Sequence, residues 1–415
     1  MDSNTAHPVA DAPKTHSAAR ARAPQPPRAL RKVLCLDDFE RAAAAHLPRP
    51  LFGYIAGAAE TNLSLRGNRE AFDRYRFVPR VLVDISRRST QRSVLGQAYS
   101  APFGIAPLGL SALTAYRGDI VLALAAAQAG VPMIMSGSSL IRLEEVAAVN
   151  PQAWFQAYLP GDEPAITALI ERVARAGFST LVLTVDTPVA ANRENNVRAG
   201  FSTPLRPTLR LAWDGATHLR WSLGTFARTI LRHGMPHFEN NYATRGAPIL
   251  SPNIERDFSD RGHLNWRHFA LIRKQWRGRL VVKGILSADD ARAAREQGAD
   301  AVIVSNHGGR QLDGAVSPLQ VLADVVAACP GFPVMLDGGV RRGSDVLKAL
   351  ALGARFVFVG RPFAYAAAVA GHAGVSHAIH LLASEISRDM AMLGVNGLDE
   401  LDPAKHLMRD RSLLI

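Results

Sequence analysis

Short apolar runs alternate with alanine-rich amphipathic stretches along most of the chain from about residue 101. The apolar runs are rich in Val, Ile, Leu and Phe and predict eight buried strands, at 103–106, 131–135, 154–158, 180–185, 280–282, 301–304, 333–336 and 356–359. The stretches between them predict helices, among them 120–129, 163–176, 288–297, 318–328 and 344–352. Continuous apolar strands separated by helices indicate a parallel sheet covered on both faces, and eight such units predict a closed (β/α)8 barrel, the TIM-barrel class of α/β folds.

The alternation is absent from both ends of the chain and from one internal stretch. Residues 1–32 are rich in Ala, Pro, Arg and Ser without a hydrophobic period, so we expect a disordered basic tail. Helical patterning from residue 36 to 58 predicts an N-terminal helical cap. Residues 200–262, after the fourth strand, mix aromatic residues with Arg and are too long for an ordinary βα loop, so we expect an insertion. The barrel would then occupy 33–400, followed by a C-terminal tail at 401–415.

The charge of the chain narrows the choice of partners. The 415 residues include 48 Lys and Arg against 36 Asp and Glu, a formal charge of +12, which favours a nucleic acid, an anionic membrane surface or anionic small molecules. The basic residues are dispersed, without a basic helix, a zinc module or an RNA-binding motif, so we expect no nucleic-acid partner.

Composition also bears on the compartment. The two cysteines cannot form a disulfide framework or a zinc site, which favours a reducing compartment and no metal. Pro and Gly interrupt the longest uncharged runs, and no signal-peptide core lies near the N-terminus. We therefore expect a cytoplasmic protein, with a peripheral membrane contact left open.

Polar, titratable and glycine residues follow every predicted strand. Because the carboxyl ends of barrel strands meet at one mouth, where barrel enzymes build their active sites, we expect one shared site. In chain order these residues are Leu108 and Gly109, Ser136, Gln156 and Tyr158, Thr184, Asp186 and Arg193, Lys283, Ser305, His307 and Arg310, Asp337, Gly338, Gly339 and Arg341, and Gly360 and Arg361.

The ends of the last two strands suit a phosphate group. Gly338, Gly339 and Gly360 let backbone N–H groups approach an anion, and Arg361 adds a fixed positive charge. A tight turn would explain the Asp-Gly-Gly sequence alone. The pairing with Gly-Arg after the eighth strand favours the phosphate.

His307 and Lys283 are the strongest candidates for chemistry. Asp186 can orient His307 as a base, and Arg310, three residues further on, can hold a substrate carboxylate; a structural histidine is the alternative. Lys283 ends an apolar strand, where burial without an anionic partner would be costly, and a side chain that snorkels to solvent is the alternative.

Several of these segments, in this order, resemble one enzyme family. Ser305-Asn306-His307-Gly308-Gly309-Arg310-Gln311-Leu312-Asp313 is similar to the signature of FMN-dependent α-hydroxy-acid dehydrogenases and oxidases. The segments at 184–188, 337–343 and 348–354 are similar to further motifs of that family. The resemblance covers about residues 33–400 and implies an FMN enzyme that oxidises an L-2-hydroxy acid, of the mandelate or lactate type, to the 2-keto acid.

The resemblance also implies how the cofactor is held. The FMN phosphate lies near Gly339, Gly360 and Arg361, and the backbone at Leu108 and Gly109 faces flavin N5. Lys283 lies near flavin N1 and C2=O and stabilises the negative charge of the reduced cofactor. The remaining cofactor-binding residues are Ser136, Gln156, Thr184, Ser305, Asp337, Gly338 and Arg341.

The substrate roles follow from the same resemblance. Arg193 and Arg310 hold the substrate carboxylate, while Tyr54 and Tyr158 bond to its oxygens. Tyr54 is assigned by its distance before Asn68 and Phe72 in the N-terminal pattern of the family. His307 removes a proton, and Asp186 stabilises the imidazolium that forms.

Two features bear on the electron acceptor. Oxidases of the family usually have Ala where this chain has Gly109, whereas its membrane dehydrogenases often have Gly. The segments at 218–223 and 232–236 are similar to the part of mandelate dehydrogenases that docks on a membrane, where quinone accepts electrons, and aromatic residues interleaved with Arg suit an anionic interface. An ordinary active-site lid is the alternative for this insertion.

We therefore expect a dehydrogenase that passes electrons to a quinone or another respiratory acceptor on the inner face of the cytoplasmic membrane. The alternative is an FMN-dependent oxidase that uses O2 and produces H2O2. Members of the family are often tetramers, which implies a homotetramer.

Overall fold

The structure is a computed structural model that describes residues 27–202, 208–251 and 261–410. Its strands are β1 (Tyr75–Phe77), β2 (Arg92–Val94), β3 (Gln97–Tyr99), β4 (Phe103–Ile105), β5 (Ile134–Ser136), β6 (Trp154–Ala157), β7 (Thr180–Thr184), β8 (Arg279–Ile285), β9 (Ala301–Val304), β10 (Val334–Asp337), β11 (Phe356–Val359) and β12 (Leu407–Arg409).

Helices alternate with the strands from β4 onwards, and further helices precede β1 and lie between β7 and β8. They are α1 (Leu36–His46), α2 (Arg49–Ala56), α3 (Leu63–Asp73), α4 (Ser111–Thr114), α5 (Gly118–Ala129), α6 (Leu143–Val149), α7 (Glu163–Arg175), α8 (Glu194–Ala199), α9 (Leu209–Thr217), α10 (Leu219–Trp221), α11 (Arg228–His233), α12 (Trp266–Gln275), α13 (Ala288–Glu296), α14 (Pro318–Ala328), α15 (Gly343–Ala351), α16 (Arg361–Leu393) and α17 (Pro403–His406).

Eight parallel strands form the centre of the molecule, in the order β4-β11-β10-β9-β8-β7-β6-β5. The two terminal strands of this sheet meet through a parallel bridge between Ile105 and Met133, which closes the barrel. The predicted (β/α)8 barrel is confirmed. Its strands agree with the apolar runs of the sequence because each run is buried on both faces.

Alternate residues of each strand fill the inside of the barrel or face the helices. Val182 and Val281 belong to the inner cluster, while their neighbours Leu181 and Val282 belong to the larger cluster beneath the helices. Aromatic residues fill one side of the interior, where the rings of Trp154 and Phe358 meet edge to face at 5.3 Å.

Both ends of the chain contribute more order than the sequence predicts. Residues 1–26 of the expected basic tail lie outside the described residues, but Leu30, in the last part of that segment, is fully buried. Within the expected tail at 401–415, α17 and β12 are regular elements, and β12 pairs antiparallel with β1. The N-terminal cap comprises α1, α2 and α3.

The insertion after β7 is mainly helical between residues 209 and 233, while its described residues 234–251 form no helix. It contains α9, α10, a π-helical stretch at Ser222–Ala227 and α11. Trp221 anchors it, because its buried indole N–H donates to the carbonyl of Leu113 at 2.8 Å. Tyr116 adds a second anchor: its hydroxyl lies 3.0 Å from Nε2 of His233, and the Arg228 guanidinium lies 3.9 Å from its ring centre.

The last barrel helix, α16, is the one described helix that is long and apolar enough to cross a membrane by length and composition. It has non-helical backbone angles at Ala370 and Gly371 and packs against α1 and α5. Its packing is therefore that of an outer helix of the barrel.

Replacement of Gly309 tests how closely the loop after β9 packs against the N-terminal cap. Gly309 has φ +75°, and a Cβ there would lie 2.7 Å from the backbone N of Leu65. We expect Gly309→Ala to lower the free energy of unfolding in urea by clearly more than the roughly 1 kcal/mol of a strained backbone alone.

Gly314→Ala is the matched control, because Gly314 has φ +79° and no atom within 4 Å of the added Cβ. Equal losses of stability in the two variants would contradict the close packing.

Candidate active site

A cavity of about 790 Å³ opens at the carboxyl ends of the barrel strands. Its size is within the range of small-molecule and cofactor sites. Of the residues predicted from the sequence, those that line it are Tyr54, Leu108, Gly109, Tyr158, Thr184, Arg193, Lys283, His307, Arg310, Asp337, Gly338, Gly339, Arg341, Gly360 and Arg361. Ser136, Gln156 and Ser305 are buried at the ends of β5, β6 and β9, and Asp186 contacts the cavity residue His307.

His307 is held by Asp186 in an orientation that suits a base. Its Nδ1 lies 2.8 Å from a carboxylate oxygen of Asp186, so the protonated Nδ1 donates and Nε2 is left to accept a proton. Its backbone has φ +57°, an uncommon conformation for a residue other than glycine and one found at functional sites. Nε2 lies 3.4 Å from the hydroxyl of Tyr158.

The protonation of this pair follows from burial and charge. Burial lowers the pKa of His307 below its usual value, although the Asp186 carboxylate acts in the opposite direction. For Asp186, burial acts to raise the pKa, but His307 and Lys283 outweigh it and the pKa is lowered. His307 is therefore a neutral imidazole beside an ionised carboxylate at neutral pH.

Lys283 is buried and paired. Its Nζ lies 2.9 Å from a carboxylate oxygen of Asp337 and donates to Oγ of Ser305 at 2.8 Å. Burial acts to lower the pKa of Lys283, but Asp337 and Asp186 raise it above the usual value, so the ammonium stays charged. The side chain does not snorkel to solvent. Ser305 Oγ also accepts the backbone N–H of His307 at 3.0 Å, which links Lys283 to His307.

Two arginines face the cavity near His307. Arg193 donates from Nε to the carbonyl of Arg310 at 3.1 Å. Arg310 donates to the carbonyls of Tyr54 at 2.8 Å and Gly57 at 2.7 Å, and its guanidinium lies 5.0 Å from the ring centre of Tyr54. Burial and the nearby Arg193 lower the pKa of Arg310 to about 10, which leaves it a cation at neutral pH.

Arg361 binds the same end of α2. It donates to the carbonyls of Ile55 and Gly57 at 3.0 Å each, and these are terminal carbonyls that a helix leaves without internal partners. Burial, together with Arg310 and Arg341, lowers the pKa of Arg361 to about 9. Mutually repelling cations beside a glycine-rich wall are suited to hold a dianionic phosphate.

The buried polar atoms of the site fit FMN. Gln156 Nε2, Thr184 Oγ1 and Asp337 Oδ1 have no hydrogen-bond partner among the described residues, although each atom is buried. Such atoms are costly unless a bound group satisfies them. Amide and hydroxyl groups at strand ends can bond the edge of a flavin ring, while Arg361 and Gly339 can hold its phosphate.

Four residues of the insertion line the cavity although the sequence did not identify them as site residues. They are Phe201, Ser202, Phe238 and Arg261. Phe201 packs against Tyr54 with ring centres 4.7 Å apart, and the Arg261 guanidinium lies 4.8 Å from the ring centre of Tyr158. The insertion lacks the strand periodicity that locates the other residues, so no sequence signal marks them.

The chain also matches a known protein family. The family model described as FMN-dependent dehydrogenase matches residues 43–409. The chain belongs to this family. The cofactor of the FMN-dependent dehydrogenases is FMN, so the family assignment agrees with the fit of the cavity and confirms the resemblance seen in the sequence.

Named relatives cover nearly the whole chain. The (S)-mandelate dehydrogenase of Pseudomonas putida is 39% identical over 375 residues, 89% of this chain and 92% of the relative. An L-lactate oxidase of Nostoc sp. is 40% identical over 380 residues, 90% of this chain and 98% of the relative. A crystal structure of the monotopic membrane protein (S)-mandelate dehydrogenase aligns with a TM-score of 0.85 and 37% identity, covering 91% of this chain and all (100%) of that chain.

Removal of one member of the Lys283–Asp337 pair tests whether the site depends on paired burial. Asp337→Asn leaves a buried ammonium without its counter-ion, and we expect a loss of about 3–5 kcal/mol in the free energy of unfolding, measured in urea.

The control is Asp399→Asn, since Asp399 is 78% exposed and pairs with Arg92 and Arg355 at the surface. Its loss should stay below about 1 kcal/mol. Small and similar losses of unfolding free energy in both variants would show that Asp337 does not stabilise the buried Lys283.

Proposed function

We propose that this FMN-dependent enzyme oxidises an L-2-hydroxy acid of the mandelate or lactate type to the 2-keto acid, with His307 as the base. The observation that carries the proposal is the Asp186–His307 hydrogen bond in a cavity that Arg193 and Arg310 also line. Relatives named as mandelate and lactate dehydrogenases and oxidases support this class of substrate.

The substrate carboxylate would lie against the two guanidinium groups. Arg193 and Arg310 are charged at the cavity wall, and planar guanidinium groups bind carboxylates through paired hydrogen bonds. The hydroxyls of Tyr54 and Tyr158 would bond to the substrate oxygens. Burial raises the pKa of Tyr158, so its hydroxyl stays protonated and able to donate.

His307 would take a proton from the substrate at Nε2, the nitrogen that does not bond to Asp186. Asp186 would stabilise the imidazolium, because its carboxylate already accepts the Nδ1 hydrogen. FMN, when bound, would accept the two electrons and the second proton that the alcohol loses on conversion to the ketone. The Lys283 ammonium would offset negative charge at the ring edge, and Arg361, Gly339 and Gly360 would hold the phosphate.

We also propose that the enzyme passes its electrons to a respiratory acceptor, a quinone or a similar carrier. We propose further that it is a homotetramer bound to the inner face of the cytoplasmic membrane. The insertion supports membrane contact because it exposes large apolar side chains beside arginines. Trp213, Leu219, Leu223 and Leu231 are all more than half exposed. The similar crystal structure of the monotopic membrane protein (S)-mandelate dehydrogenase also supports membrane contact.

Replacement of His307 tests the base directly. We expect His307→Asn to retain FMN, because the asparagine keeps a polar side chain in the cavity, and to lower the rate of flavin reduction by (S)-mandelate or L-lactate about 10²–10⁴-fold. The flavin absorbance of the purified variant measures how much FMN is retained, and its decay in anaerobic stopped-flow mixing measures the rate of flavin reduction. Reduction at the wild-type rate would exclude His307 as the base.

The pH dependence supplies an independent control on this assignment. Because burial lowers the pKa of His307 from 6.5, the wild-type rate should fall only as the pH drops through an apparent pKa below that value. Asp186→Asn removes the carboxylate that raises the pKa of His307, so the fall should move to lower pH.

The electron acceptor distinguishes a dehydrogenase from an oxidase that forms H2O2. The 40% identity to an L-lactate oxidase favours the oxidase. Gly109 favours the dehydrogenase. We expect the reduced enzyme to be reoxidised faster by a soluble quinone analogue than by O2. Reoxidation by O2 at the same rate, with stoichiometric H2O2, would establish the oxidase instead.

The membrane contact predicts a loss of binding when the exposed apolar side chains are removed. The combined variant Trp213→Ser, Leu219→Ser, Leu223→Ser and Leu231→Ser should no longer co-sediment with phosphatidylglycerol vesicles, while its reduction of a soluble quinone analogue is retained. Leu34→Ser is the control, since Leu34 is 73% exposed outside the insertion. If the fourfold variant still co-sediments, the insertion acts as an active-site lid instead.

A further inference from the structure

Arg261 lies near the C-terminal end of the insertion, after its helices, and lines the active-site cavity. It is 7% exposed and lines the same cavity as His307 and Tyr158. Its guanidinium carbon lies 4.8 Å from the ring centre of Tyr158. The separation is well inside the limit of about 6 Å for attraction between a cation and an aromatic face.

Among the described residues, the side chain of Tyr158 contacts the guanidinium of Arg261 and the ring of His307. It follows the end of β6, so its backbone is held by the barrel. Its hydroxyl lies 3.4 Å from His307 Nε2, which is long for a hydrogen bond that fixes an orientation. The ring centres of Tyr158 and His307 are 6.5 Å apart, near the outer end of the range for ring contacts, so His307 alone holds the tyrosine ring weakly.

We propose that Arg261 is a positioning residue that fixes the ring of Tyr158 so that its hydroxyl meets a substrate oxygen beside His307. The proposal rests on the proposed function, in which Tyr158 donates to the substrate. A guanidinium suits the task because it is planar and permanently charged, and burial in the cavity strengthens its attraction to the ring. The insertion thereby supplies one element of the catalytic geometry.

A double-mutant cycle tests whether Arg261 acts through Tyr158. The rate of flavin reduction by whichever L-2-hydroxy acid reduces the wild-type holoenzyme is measured for Arg261→Met, Tyr158→Phe and the double variant. We expect Arg261→Met to lower the rate about tenfold in the wild-type background and less than about twofold in the Tyr158→Phe background. Arg261→Lys should recover most of the rate because it keeps a cation over the ring.

Arg267→Met is the matched control, since Arg267 is exposed nearby in the sequence on α12, and its rate should equal that of the wild type. A wild-type rate in Arg261→Met, or an equal loss in both backgrounds, would overturn the proposal.

A second pair of variants keeps the test decisive if Arg261→Met does not retain FMN. Arg261→Lys and Arg261→Gln both keep a polar side chain but only Lys presents a cation to the ring, and equal rates in these two would overturn the proposal. The two hypotheses fail separately. If no 2-hydroxy acid reduces the wild-type flavin, the proposed function fails, whereas a reducible wild type with an unaffected Arg261→Met rejects the role of Arg261 alone.

Discussion

The Lys283 ammonium and the Asp337 carboxylate lie 2.9 Å apart in a part of the barrel that is almost closed to water. Each charge alone would cost several kcal/mol there, so neither is tolerated without the other. A related constraint applies at the neighbouring strand ends, where the Asp186 carboxylate accepts a hydrogen bond from the neutral His307 imidazole. The polar groups at the barrel mouth are therefore held in fixed positions by partners that the fold itself supplies.

The N-terminal cap supplies hydrogen-bond acceptors for two arginines of the barrel mouth. Arg310 and Arg361 are partly buried near each other, and the carbonyls at the end of α2 accept hydrogen bonds from both. A helix end that would otherwise lack partners thus holds two cations in place. Tyr54 belongs to that same helix and lines the cavity, so the cap both orders the arginines and contributes to the proposed substrate site.

The sequence predicted the barrel well because its strands are apolar without interruption, and Ala301–Val304 and Phe356–Val359 agree to the residue. The second strand was predicted at 131–135 but begins at Ile134. Pro132 has no N–H to donate, and only its carbonyl pairs, with the N–H of Ile105. The strand-end pattern and the family resemblance together identified fifteen of the residues that line the cavity. Neither source predicted that Arg261 faces Tyr158, because that contact joins an aperiodic insertion to a barrel strand.

Anaerobic titration of the FMN-loaded protein with matched L and D 2-hydroxy acids is the decisive experiment for hydroxy-acid oxidation at this site. The two arginines, two tyrosines and His307 form a handed site, so we predict bleaching of the flavin absorbance by the L enantiomer of at least one mandelate- or lactate-type acid and little by its D enantiomer. Equal bleaching by both enantiomers, or none by any 2-hydroxy acid, would contradict it.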